Sequence, residues 1–320
     1  MAERAHPDAG GSAVGRVAWS RVGLFYAIAF GGASLVAAGL WWVGPRVGEA
    51  ASLIAQVALA LLYMPLPLVA GLIVERRAGR TTLLAAERAA LRGRFWRAYG
   101  RNAGWAVGVM LLVLALGFLV AWAGGALGVP GAGHLVTTDD ALLQRLRELY
   151  PVLPAGVPLP GLPVVVGSGL AQGLIAGVTI NGVFAFGEEY GWRGVLADEL
   201  RPLGRVAANV VTGVLWGLWH APIILLGHNY GAEWAWGIPM MVAWTIPLSF
   251  ILSWARETTG SVLAPSFLHG AYNGTIGLFV LLVAGGNVLI ALPMGLLIVP
   301  VLALVAGALW AWRRSPGSPD

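Results

Sequence analysis

Cysteine is absent from the 320 residues, which excludes disulfides, thiolate metal sites and a cysteine nucleophile. Lysine is absent too, so all 20 basic residues are arginine, a usage that fits a GC-rich genome and a bacterial host. Charge itself is scarce: Asp, Glu, Lys and Arg make up 11% of the chain, where soluble domains carry about 25%. There is no Walker-type loop, dinucleotide-binding fingerprint, EF-hand or His-Glu-x-x-His pair. No internal repeat supports the logic of inverted-repeat transporters. What is present is apolar. Hydrophobic residues make up 58% of the chain and recur in windows of about 20 residues, the length that crosses a bilayer as helix.

The expected fold class is therefore all-α, a polytopic membrane helix bundle of about eight transmembrane helices. The spans fall at about 22–43, 51–73, 103–124, 164–199, 207–226, 237–254, 260–283 and 288–312. The first is read as a retained helix, because a signal peptide would have a shorter apolar core. This divides the chain into an N-terminal tail at 1–20, a single helix-bundle domain at 21–312 with its catalytic core at 164–283, and a C-terminal tail at 313–320. Between the second and third spans, Glu75 to Arg101 carries eight arginines against two glutamates. Arginine-rich short loops stay in the cytoplasm, so both termini are expected there, in a bacterial cytoplasmic membrane. On this map only Arg46, Arg145 and Arg147 lie outside and Arg193 lies within a span. The net charge of +5 then reports topology, and no nucleic-acid partner is expected.

Within the basic loop, Leu84, Leu91 and Phe95 share one helical face, which suggests either a helix on the inner leaflet touching anionic lipid or a solvated linker. The outer segment Gly125–Pro163 is rich in Gly and Pro, with one short helix capped by Thr138 or Asp139 and running to Leu149. Gly169, Gly173 and Gly177 form a small-residue stripe suited to close helix packing. His6, His134 and His228 belong to no constellation, and His228 is expected at the surface.

The chemistry concentrates in three helical pairs. Glu189 and Arg193 are four apart in GEEYGWRG, Trp216 and His220 in WGLWHAP, His269 and Asn273 in HGAYN. Side chains at this spacing share a helix face. Glu188 points about 100° away from Glu189, so Glu189 and Arg193 are assigned to structural support and Glu188 to chemistry. Trp216 is read as a wall of the site, Tyr190 and Trp192 as packing residues. Counted from the inner boundary, Glu188 lies roughly 16 Å deep, His269 roughly 13 Å and His220 roughly 20 Å. A carboxylate or imidazole at that layer can take a proton from water, and an imidazole and an amide can hold an oxyanion. Glu188, His220 and His269 are equally candidates to hold a zinc ion that activates the water.

These motifs resemble those of the CPBP intramembrane proteases, the CAAX protease and bacteriocin-processing group that includes the type II CAAX prenyl endopeptidases. The resemblance runs from about Phe184 to Gly274, and departs from the pattern at Trp216, where phenylalanine is usual. It implies an intramembrane endopeptidase acting on a membrane-anchored protein or peptide, CAAX-like substrates among the options. It implies that Glu188 and His220 activate the water while His269 and Asn273 stabilise the oxyanion. The family carries both a metalloprotease label and a metal-free glutamate mechanism. The metal-free route is preferred because Asn273 is a poor zinc ligand and a good oxyanion donor. The rivals are a non-catalytic membrane scaffold or bacteriocin-immunity factor of the same fold, and a proton-coupled transporter. The active site is expected to open towards the cytoplasm, where membrane lipids and the substrate are the partners.

Overall fold

The computed structural model describes residues 16–48, 51–151 and 160–313. His6 and most of the two terminal tails lie outside these residues. Apolar windows with no backbone partner in lipid must satisfy their own N–H and C=O groups, and helices do this. The described residues form an all-α membrane bundle whose one sheet is a two-residue antiparallel contact between segments far apart in the chain.

The first layer is α1 (Trp19–Val47), then α2 (Ala51–Ala58), which passes through a π-helical turn at Leu59–Tyr63 into α3 (Leu66–Arg77). The basic loop holds α4 (Leu83–Leu91), and α5 (Phe95–Ala126) follows. Beyond it lie β1 (His134–Leu135) and α6 (Asp139–Leu149), the latter capped by Thr138 Oγ1, which accepts from the Ala141 N–H at 3.2 Å. Next come α7 (Leu162–Val178), α8 (Ile180–Glu189), a π-helical stretch Tyr190–Leu196 and the short α9 (Ala197–Leu200). The remainder is α10 (Arg205–Trp219), α11 (Ala221–Ile224), α12 (Trp234–Thr259), α13 (Leu263–Leu282), β2 (Val283–Ala284) antiparallel to β1, and α14 (Ile298–Arg313).

Helix occupies all eight expected positions. Among the described residues, however, only five helices are long and apolar enough to cross a membrane alone, or six when α7 and the helix after it count as one bent span. That pair turns by 47° at Thr179. The last span was expected from 288 but begins at Ile298, because 285–297 is irregular and carries Pro293 and a left-handed Gly285.

Charge is sorted by end. At one end Glu199 receives Arg21 at 2.8 Å and Arg80 at 2.7 Å, and Glu257 receives Arg205 at 3.3 Å and Arg313 at 2.9 Å. Helix direction puts α6, with Arg145 and Arg147, at the other. The basic loop departs from the sequence reading. α4 stops at Leu91 and the chain turns through Gly93 at φ 73°, so Phe95 sits on a different helix from Leu84 and Leu91. α4 is docked as well: Glu87 accepts from Ser261 Oγ at 2.7 Å and Val262 N at 2.9 Å, and Glu75 accepts from Leu83 N at 2.7 Å and Tyr190 Oη at 2.5 Å.

Glycine sets how closely α7 meets α13. A Cβ on Gly177 would lie 2.3 Å from Ala271 Cα, and one on Gly173 would lie 2.6 Å from the Gly274 carbonyl oxygen. The stripe read from the sequence is thus a helix contact. This approach brings α13, with His269 and Asn273, against the α7–α8 segment that carries the two glutamates. On the opposite flank Trp192 packs edge-on against Phe25 at 5.2 Å and Trp219 at 5.9 Å, an aromatic wall that fixes α10 to α1.

Candidate active site

Glu188 and Glu189 end α8, and the chain then winds as π-helix through Arg193. Such wide turns recur at functional positions because they rotate side chains off the regular α spacing. Here the Glu189–Arg193 pair survives the widening: Arg193 Nη1 donates to Glu189 Oε1 at 3.1 Å, with both side chains fully buried. Arg193 Nη2 donates to Ser249 Oγ on α12 at 3.0 Å, and its guanidinium lies 4.1 Å over the Trp216 ring.

Glu189 also holds a second partner. The same Oε1 lies 2.8 Å from His269 Nδ1. A carboxylate only accepts when ionised, so Nδ1 carries the proton and Nε2 is the nitrogen left for chemistry. His220 is treated alike: its Nδ1 lies 2.8 Å from the Trp216 carbonyl oxygen, which can only accept, so its Nε2 is also left free. Glu188 is set apart from this network. It is 3% exposed and accepts from the Trp216 indole N–H at 2.9 Å. Trp216, read from the sequence as a wall, therefore touches the Glu188 carboxylate through a donor that phenylalanine would not supply.

Glu188, Trp216, His220, His269 and Asn273 line one cavity of about 280 Å³. The structure thus gathers the sequence-derived candidates at one place, with Glu189 and Arg193 behind them. Tyr63, Trp244 and Tyr272 are among its other walls, and none of them carried a sequence signal. Tyr272 is fixed by the Trp244 indole at 3.2 Å and donates to the Pro293 carbonyl at 2.8 Å. His228, expected at the surface, also lines the cavity. Its loop is tight, with Asn229 at φ 64° and Gly227 at φ 90°, and burial pushes its pKa down to about 4. Its position eight residues after His220 was the one clue available.

The loop-borne walls are His228, Asn229 and Met294, which follow the far ends of the helices begun by Arg205 and Leu263. They lie at the end of the bundle opposite Glu199 and Glu257 with their arginines. A neighbouring groove of about 550 Å³ shares Asn229, Ile276 and Met294 with the cavity and reaches Arg145 on α6.

Among the described residues no three His, Asp or Glu side chains are grouped to hold a metal ion, and Glu188, His220 and His269 are no exception.

Residues 169–275 match a family model described as type II CAAX prenyl endopeptidase Rce1-like. CAAX prenyl protease 2 of Methanococcus maripaludis is 31% identical over 94 residues, 27% of this chain and 34% of that protein. The chain thus matches about a third of the length of this curated relative. No solved structure matches. The matched residues include Glu188, Glu189, Arg193, Trp216, His220, His269 and Asn273.

Proposed function

With residues 169–275 Rce1-like and holding every one of these side chains, we propose that the chain is an intramembrane endopeptidase. The observation that carries the reading is the convergence of Glu188, His220, His269 and Asn273 on one cavity, with each imidazole anchored through Nδ1. The Trp216 indole holds Glu188 in place to take a proton from a water, with the His220 Nε2 as the second acceptor. The water oxygen bonds to the scissile carbonyl carbon. The oxyanion that forms is stabilised by donors from the Asn273 amide and from His269. To donate from Nε2, His269 must carry protons on both nitrogens; with Glu189 already paired to Arg193, the charge of that state is balanced by the oxyanion it donates to. The proton held by Glu188 then passes to the amine as the C–N bond breaks.

The substrate is a segment of a membrane-anchored protein or peptide. It reaches Glu188 through the end of the bundle formed by His228, Asn229 and Met294. If the arginine-rich end faces the cytoplasm, as loop charge favours, this is the outer half of the bilayer.

The test compares wild type with Glu188→Gln in liposomes against a library of membrane-anchored peptides read by mass spectrometry. Cleavage by wild type and a loss of about 100- to 10,000-fold in the folded variant is the expected result. A variant that cuts as fast as wild type, or that preserves every cellular phenotype of the gene, would remove the peptidase reading in favour of a binding scaffold.

A further inference from the structure

A second polar cavity, of about 520 Å³, lies between α10 and α12 and plays no part in the peptidase reading. It begins at the arginine-bearing end with Arg201, Arg205 and Arg256 and reaches inward to Arg193. Two acids share its wall, but both are already engaged: Asp198 pairs with Arg201, and Glu257 serves Arg205 and Arg313 together. Arg256 makes no ion pair among the described residues. At the inner end, Arg193 is 2% exposed and its Nε is buried without a hydrogen-bond partner.

This is a cleft with more guanidinium than carboxylate, part of it out of reach of solvent. Leaving a buried donor of a charged group unpaired is costly. Guanidinium groups pair most strongly with the oxygens of phosphate, often two at a time. The cleft also lies at the ends of helices, where Gly204 precedes α10 and Gly260 follows α12, the level at which headgroups meet a membrane bundle. Arg205 stacks 4.1 Å over the ring of Trp310, which is buried near the end of α14 and donates to the Phe250 carbonyl at 3.0 Å, so this guanidinium is held in place at the rim of the cleft.

We propose that this cavity binds a phosphate group, as the headgroup of an anionic phospholipid or as free phosphate, with Arg201, Arg205 and Arg256 around it and Arg193 at its floor. Such a ligand would share Arg193 with Glu189, so its occupancy would be felt by His269 through one hydrogen-bonded chain. Binding itself does not depend on the chain being a peptidase, and the two readings fail separately.

The experiment places the purified full chain in nanodiscs of phosphatidylcholine with and without phosphatidylglycerol. Retained lipid is counted by native mass spectrometry, and inorganic phosphate is titrated calorimetrically into the phosphatidylcholine discs. The variants are Arg256→Gln, which breaks no ion pair, and the double change Arg205→Gln with Arg256→Gln. Arg147→Gln at the opposite end is the control. Retention of phosphatidylglycerol by wild type and the control, with at least a tenfold loss in the double variant and a smaller loss in Arg256→Gln, supports a lipid headgroup. Saturable phosphate binding with the same order of loss, and no lipid preference, supports free phosphate. If wild type prefers neither, or Arg256→Gln and the double variant bind as wild type does, the proposal is overturned.

Discussion

Replacing Glu189 and Glu188 in turn by glutamine separates support from chemistry, because the two neighbours hold different partners. Glu189 is fully buried and its Oε1 serves both Arg193, at 3.1 Å, and His269, at 2.8 Å. Glu189→Gln leaves the buried guanidinium without a carboxylate, and breaking a buried pair from one side costs about 3–5 kcal/mol. The Ser249 hydroxyl and the Trp216 ring still face Arg193, which places the cost in the lower half of that range. At roughly 2 °C per kcal/mol for a chain of this size, the melting temperature in detergent should fall by roughly 6–8 °C. Glu188→Gln keeps the shape and gives up the charge on one hydrogen bond, that from the Trp216 indole. A single such bond contributes about 1.5–3 kcal/mol, and glutamine can still accept from the indole, so its melting temperature should move by under about 3 °C. Turnover should show the larger fall for Glu188→Gln. Melting followed by intrinsic fluorescence, together with cleavage of a membrane-anchored peptide, reads both effects. If Glu188→Gln melts early while Glu189→Gln is stable and fully active, the division of labour between the two glutamates is wrong.

Trp216→Phe keeps an aromatic wall but removes the donor to Glu188. It should lower kcat by about tenfold with the fold intact, and an unchanged kcat would make the indole N–H incidental. Gly177→Val places side-chain atoms where Ala271 Cα already stands, 2.3 Å from the would-be Cβ. It should cost about 1–3 kcal/mol or more by overpacking, whereas Gly23→Ala, with nothing within 4 Å, should be silent in the same melting assay. His228 has its pKa lowered to about 4 by burial, so between about pH 4 and 6.5 the unfolded chain binds the extra proton. Stability should therefore fall as pH drops through that window, by up to about 3 kcal/mol in total. His228→Gln should flatten that part of the pH–stability curve, and an unchanged curve would show that His228 is not the titrating group.

Much of this molecule was written locally. The lack of charge and the recurring apolar windows determined an all-α membrane bundle, since only helices satisfy the backbone within lipid. Spacing of four placed Trp216 with His220 and His269 with Asn273 on shared faces, and the 100° step between neighbours separated Glu188 from Glu189. The cap at Thr138 and the packing role of the glycine stripe were legible for the same reason.

Other features join residues far apart in the chain, and helical periodicity carries no information about how one helix is rotated against the next. Glu189 reaches His269 across 80 residues, and the Trp216 indole reaches Glu188 across 28. The first depends on α13 lying against α8, and the second on α10 lying against the end of α8. That His228 lines the cavity and that Arg256 and Arg193 share a second cleft were likewise decided by interhelical packing. The sequence set which groups are present and on which helix face each stands. The tertiary structure decided which of them meet, because that depends on helix rotation and on contacts only glycine permits.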